Sequence, residues 1–366
     1  MTATTDLELR ETCHSIFAGH QDATPAATFA AMAEWCAAGQ VAHDVYGEGQ
    51  LVQDFEKKIA ALLGFEAALF CITGTITQVT ALRLACMERA NPLVALHPSA
   101  HIIRHENSNY QLLDHFKALQ VGDPHRPWRA DDLTALADPL GAALVELPMR
   151  ELGGQLPEWA QLDAIKAHCA DRNIHLHMDG ARLWEATAGY DRSLQEIASG
   201  FDSVYVSFYK GINGLGGAML LGRPAFIAKA RTWIARQGGN LFHRTPYVVA
   251  AAMQFDQRLA AMSACFKRTE WLYSVLRDFP QLIVNPARPQ SNMLHLYLPV
   301  RRERALAVRD QIAQQHGAWM FGRASHSALP NQCVIEWYVG DNLLNMPDHQ
   351  VRHLLQLLAD GVGASV

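Results

Sequence analysis

Asp179 and Lys210 each stand at the end of a stretch that reads as a buried strand. Ile174, Leu176 and Met178 alternate with His175, His177 and Asp179, the period of two that marks a strand. Asp179 then meets Gly180 at a turn. Residues 203–208, SVYVSF, form a second β-rich run, and Lys210 follows it among Gly211, Gly214, Gly216 and Gly217. Open α/β sheets bind ligands at the carboxyl ends of their strands. An acid and a lysine at that edge match one chemistry. Pyridoxal phosphate forms a Schiff base with a lysine amine, while a carboxylate keeps the pyridine nitrogen protonated and makes the ring an electron sink. Such a lysine needs a depressed pKa, from desolvation or from neighbouring cations. Alone, Asp-Gly is equally a turn and Lys-Gly equally a solvated loop. Together they point to the cofactor.

The elements around this pair fit an α/β chain. Residues 26–38 read as an Ala-rich helix, and residues 45–49, VYGEG, as a tight turn. Leu51, Phe55, Ile59, Leu62 and Leu63 recur at helical spacing, and Gly64 stops that helix. Residues 67–72 read as a strand, Thr73-Gly74-Thr75 as a turn, and residues 76–89 as a long helix. That order places N–H groups and hydroxyls at a helix N-terminus, where a phosphate binds; a strand-to-helix turn without a ligand uses the same residues. Further strands are expected at 91–96 and 142–147, and helices at 162–169, 224–236 and 246–279. Beyond residue 282 the pattern is strand 293–298, helix 302–315, strands 319–323 and 333–338, and helix 349–358. That is the α+β layout of a second, smaller domain. The expected divisions are an N-terminal arm at 1–40, a large domain at 41–255 and a small domain at 256–366.

Composition sets the bounds. The 366 residues are 49% hydrophobic and 18% charged, as in an ordinary globular protein. A net charge of −5 offers no basic field to nucleic acid. The apolar runs are too short to span a bilayer, and the polar start MTATTDLELRETC is not a signal peptide, so a cytoplasmic protein is expected. The seven cysteines contain no C-x-x-C pair, which fits free thiols and argues against zinc. His175, His177 and Asp179 share a strand face and could read as a metal site. Successive residues of one strand rarely give three ligands to one ion, so buried, hydrogen-bonded histidines are expected and no metal site.

The segments HMDGARLWEA, SFYKGINGLGGAMLLG and the block from Asp44 to Leu84 resemble the low-specificity L-threonine aldolases. These belong to the β-eliminating-lyase branch of the fold-type-I pyridoxal-phosphate enzymes, and the likeness runs from about Asp44 to Asn292. It implies a large domain with a mostly parallel seven-stranded sheet and a small α+β C-terminal domain. It implies that Lys210 bonds the cofactor, that Asp179 pairs with its ring nitrogen, and that His101 stacks on the ring and serves as acid or base. Arg182, Gly74, Thr75, Ser207 and Arg244 are the further cofactor-binding residues it implies. The substrate class is a β-hydroxy-α-amino acid, and the assembly a homodimer or homotetramer with shared active sites. The scaffold also hosts β-elimination and transamination, and a non-catalytic sensor or structural protein is the reading from another class. Three places depart from the family. Leu147 and Met149 stand where it has Asn and His, and Arg150 follows. Glu336 stands where it has an arginine for the substrate carboxylate. The family's N-terminal Ser-Asp pair has no match in residues 1–20. Arg150 and Arg323 are the candidates to replace the missing arginine.

Overall fold

Helix α1 (Pro25–Ala38) is capped by Thr24, whose side chain accepts from Ala27 N. Helix α2 (Gln50–Leu63) buries Val52, Phe55, Ile59 and Leu63 at the spacing of one helical face. Gly64 ends it with φ 74°, and a Cβ there would lie 2.8 Å from Gln195 Cγ. The structure, a computed structural model, describes residues 6–21 and 23–363. Two compact units emerge, one of Ala23–Glu151 with Gln155–Ala260, the other of Met1–Asp22, Leu152–Gly154 and Ala261–Val366.

The larger unit is built on seven strands. These are β1 (Ala67–Cys71), β2 (Leu93–Leu96), β3 (Lys117–Gln120), β4 (Ala142–Glu146), β5 (His175–Gly180), β6 (Ser203–Ser207) and β7 (Ala218–Gly222). Their order across the sheet is β1-β7-β6-β5-β4-β2-β3. β7 runs antiparallel to both neighbours, and the other pairings are parallel. Every residue of β4, β5, β6 and β7 is buried. Sheets of this kind are covered on both faces, so the polar residues of β5 lie inside as well. Helices α3 (Gly74–Arg89), α4 (Trp159–Asp171) and α5 (Pro224–Arg236) also belong to this unit, and the 32-residue α6 (Thr245–Leu276) begins in it.

The smaller unit has strands β8 (Ile283–Asn285), β9 (Met293–Leu298), β10 (Ala324–His326) and β11 (Cys333–Tyr338), in the order β10-β11-β9-β8, all antiparallel. Helices α7 (Arg302–His316) and α8 (Asp348–Gly363) accompany the sheet. Its core gathers Phe17, Leu294, Leu296, Trp337 and Leu355.

Three expectations change. The arm at 1–40 is divided between the units, because Ser15–Ile16 pairs in parallel with Ala318–Trp319 while α1 belongs to the larger unit. Residues 1–5 and 22 of that arm lie outside the described residues. The division near residue 255 falls instead inside α6, at Ala260 and Ala261. Of the strand expected at 319–323 only Trp319 is extended; Ala318–Trp319 and β10 are separate short strands on either side of 320–323, pairing with different partners. No helix among the described residues is long and apolar enough to cross a membrane.

Candidate active site

Asp179 is the fifth residue of β5, and Lys210 lies three residues beyond β6. The two strands are parallel neighbours, so both side chains arise at the carboxyl edge of the sheet. Asp179 is 1% exposed and its carboxylate is held at both oxygens. Ala181 N donates to Oδ1 at 3.0 Å, and Gln78 Nε2 donates to Oδ2 at 2.9 Å. Gln78 comes from the first turns of α3, which ties that helix to the acid.

The amine of Lys210 is displaced below the ordinary lysine range. Burial does most of this and the nearby Arg182 guanidinium adds to it, while Asp179 and Glu146 pull the other way. Arg150 adds a further lowering. The side chain passes Tyr209, with Nζ 5.5 Å from the ring centroid.

His101 opens a short helix, His101–Arg104, after β2. Its Nδ1 lies 3.2 Å from Glu106 Oε1, and Glu106 in turn accepts from Asn109 Nδ2 at 3.0 Å. A carboxylate at Nδ1 selects the tautomer protonated there and leaves Nε2 as the basic nitrogen. The backbone N–H of His101 donates to Glu146 Oε2 at 3.3 Å, and Arg150 N donates to Glu146 Oε1 at 3.0 Å. Glu146 ends β4 directly opposite Asp179 on β5. Burial pushes its carboxyl well up, and the Asp179 charge pushes it further. Burial likewise pushes the Glu185 carboxyl up to about 7, against the pull of Arg182 and Lys210. Glu185 Oε2 is buried without a hydrogen-bond partner among the described residues.

Thr73 caps α3, its Oγ1 accepting from Ile76 N at 3.4 Å, and Gly74 and Thr75 are the first helical residues. A Cβ at Gly74 would fall 2.1 Å from the Tyr205 hydroxyl oxygen, so only glycine fits. The first turn of a helix carries N–H groups without intrahelical partners, which attract anions.

Two expected cofactor contacts are otherwise engaged. Ser207 Oγ donates to Ala181 O at 2.7 Å, and Trp184 Nε1 donates to Ser207 O. The serine braces the turn after Asp179. Arg244 is 2% exposed and donates to Phe70 O and Asn240 Oδ1, while its backbone N–H donates to Asp44. Its partners therefore lie in the loops 44–47 and 240–245 and at β1, not at Asp179 or Lys210. Leu147 and Met149, the residues in place of the family's Asn and His, are each 0% exposed. Arg150 is the residue of that segment whose charge reaches Lys210. His175 and His177 both bond Ser203 Oγ at 2.7 Å.

Glu106, Glu146 and Glu185 are functional candidates missed in the sequence. Glu146 carried the same signal as Asp179, a charge ending an apolar strand, AALVE. Glu106 follows His101 by five residues in an irregular segment, and only the fold brings the two together.

These groups fit pyridoxal phosphate. A held carboxylate, a lysine of lowered pKa, an imidazole and a helix N-terminus are the donor set it needs. The sequence profile of the family described as Beta-eliminating lyase matches residues 22–298. A solved structure from Exiguobacterium sp. 255-15, provisionally assigned as an aromatic amino acid beta-eliminating lyase/threonine aldolase, superposes with a TM-score of 0.90. It is 33% identical, over 96% of this chain and 99% of that one. A provisionally assigned L-allo-threonine aldolase from Listeria monocytogenes EGD-E gives 0.89 at 32% identity, over 98% of both chains. The low specificity L-threonine aldolase of Saccharomyces cerevisiae is 27% identical over 219 residues, 58% of this chain. The chain spans a little over half the length of such curated relatives, 56% of the yeast enzyme and 59% of a Caenorhabditis elegans protein. The chain thus belongs to the beta-eliminating lyase family, with the fold-type-I architecture and with pyridoxal phosphate as its cofactor.

Proposed function

We propose that this protein is a lyase that cleaves the Cα–Cβ bond of a β-hydroxy-α-amino acid, giving glycine and an aldehyde. The observation that carries the reading is His101, with Nδ1 on Glu106 and its backbone N–H on Glu146, the carboxyl that β4 sets opposite Asp179. Bound there, pyridoxal phosphate supplies an electron sink conjugated to the substrate amine. Lys210 supplies the amine that holds it. Asp179 keeps the ring nitrogen protonated, and the N–H groups of Gly74 and Thr75 receive the phosphate. His101 Nε2 takes the proton of the substrate β-hydroxyl as the Cα–Cβ bond opens. Orientation and fixed charge, rather than unusual acidity, carry the rate.

The substrate carboxylate needs a cation. Arg323 belongs to the smaller unit, where it lines a pocket of about 480 Å³ with Glu336, and Glu336 lies 3.7 Å from His295. Arg150 follows β4 in the unit that holds Lys210, and we assign it the carboxylate. Arg150→Ala should raise KM by roughly thirtyfold, the value of one charge-assisted contact of about 2 kcal/mol, and leave cofactor content unchanged. Steady-state kinetics on threonine, allo-threonine and phenylserine test this, with weak threonine cleavage expected. Efficient threonine turnover that Arg150→Ala does not alter would overturn the assignment.

The working assembly is a homodimer, or a pair of them, with shared active sites. Beside Arg244, Tyr46 and Phe242 meet edge to face at 5.3 Å and are 51% and 54% exposed. Aromatic rings left out in this way fit burial against a second copy. Sedimentation should show a dimer or tetramer, and Phe242→Glu should shift it toward an inactive monomer. A fully active monomer contradicts this assembly.

A further inference from the structure

Helix α3 begins at Gly74 beside the cofactor site and ends at Arg89, about 22 Å away at 1.5 Å per residue. Arg89 Nε donates to Asn173 O at 2.7 Å, and Nη1 approaches His175 Nδ1 at 3.5 Å. From there a chain of contacts runs back along β5. His175 Nε2 lies 2.7 Å from Ser203 Oγ, and the same oxygen lies 2.7 Å from His177 Nδ1. His177 is followed on the same strand face by Asp179, about 7 Å further on.

We propose that Arg89 fixes the tautomer of His177, and through it the electrostatic setting of Asp179, so that a residue remote from the cofactor acts as a positioning residue for it. The direction of the chain follows from counting donors. A guanidinium only donates, so His175 Nδ1 must be the bare, accepting nitrogen. His175 Nε2 then carries the proton and donates to Ser203 Oγ. The serine has a single proton, which goes to His177 Nδ1. His177 therefore carries its own proton on Nε2. That nitrogen is buried and has no hydrogen-bond partner among the described residues. The reversed chain would set His175 N–H against Arg89 N–H, donor against donor.

Both rings stay neutral, which the argument requires. Burial lowers His175 well below its ordinary value, and His177, Arg89 and Arg223 lower it further. Burial lowers His177 to about 4, although the Asp179 charge opposes this. Phe226 stacks on the His175 ring at 5.1 Å and limits its reorientation. With the chain in this sense, the proton-bearing nitrogen of His177 favours a negative Asp179. Reversed, a lone pair takes its place and disfavours that charge. The proposal rests on Asp179 as the partner of the ring nitrogen.

The test uses the full-length, cofactor-loaded protein with ¹⁵N-labelled histidine, and the variants Arg89→Met and Arg89→Lys. In the wild type, His177 should show a single tautomer with Nδ1 bare and Nε2 protonated. Arg89→Met should mix or reverse it and weaken pyridoxal phosphate binding at least about fivefold. Arg89→Lys keeps a donor and should restore both, which a purely structural loss would not. Three results overturn the proposal. They are a protonated Nδ1 on His177 in the wild type, an unchanged tautomer in Arg89→Met, and a reversed tautomer with unchanged cofactor affinity. In the last case an Asp179→Asn control separates the causes. If that variant also keeps full affinity, the reading of Asp179 has failed rather than the relay.

Discussion

Borohydride reduction of the cofactor-loaded protein, followed by peptide mapping, should fix the label on Lys210 and on no other lysine. Lys210→Ala should lose turnover by about 10⁴-fold, the upper end for removing a group that handles both bond and proton. The structure also predicts how loading depends on pH. A neutral amine is the nucleophile, and burial with Arg182 lowers the pKa of Lys210. Loading of the stripped protein should therefore speed up as pH rises and level off above a lysine pKa lowered to about 8, below the ordinary value of about 10.4. Arg182→Leu removes a neighbouring positive charge, so the plateau should move to higher pH. A label on another lysine, or a plateau at the ordinary value, sinks the assignment.

The acid, the lysine and the helix N-terminus were legible because each ends an element whose periodicity is local. β5 shows its alternation in six consecutive residues, and Gly64 announces the end of α2 by itself. What the sequence hid is non-local. Glu146 looked like one charge in an apolar strand until β4 and β5 paired and set it opposite Asp179. Gln78 sits 101 positions from the carboxylate it holds. The fate of Arg244 depended on Asp44, Phe70 and Asn240, which no spacing rule joins. Leu147 and Met149 depart from the family in the sequence, but that both are fully buried is a property of the packed loop. β3, β7 and β8 escaped because short strands in a glycine-rich or polar context carry little alternation.

Asp179→Asn should leave pyridoxal phosphate bound at saturating concentration, though more weakly, and lower kcat by about 10²–10³-fold. Both carboxylate oxygens now accept hydrogen bonds, from Ala181 N and Gln78 Nε2. An asparagine has one accepting oxygen, so its amide nitrogen must face one of these donors, and the loss is charge and geometry together. Gln78→Leu separates the two. It keeps the charge and removes only the brace at Oδ2, so its cost should be about one net hydrogen bond to a charged group, roughly tenfold to a hundredfold. Glu146 is the second carboxyl at this edge. Two carboxylates side by side in a buried sheet edge repel, and the one pushed up by burial and by its neighbour takes the proton first. Glu146→Gln should therefore disturb turnover near neutral pH far less than Asp179→Asn does. Near-wild-type kcat in Asp179→Asn, or an equal loss in Glu146→Gln, would show that the ring nitrogen has a different partner.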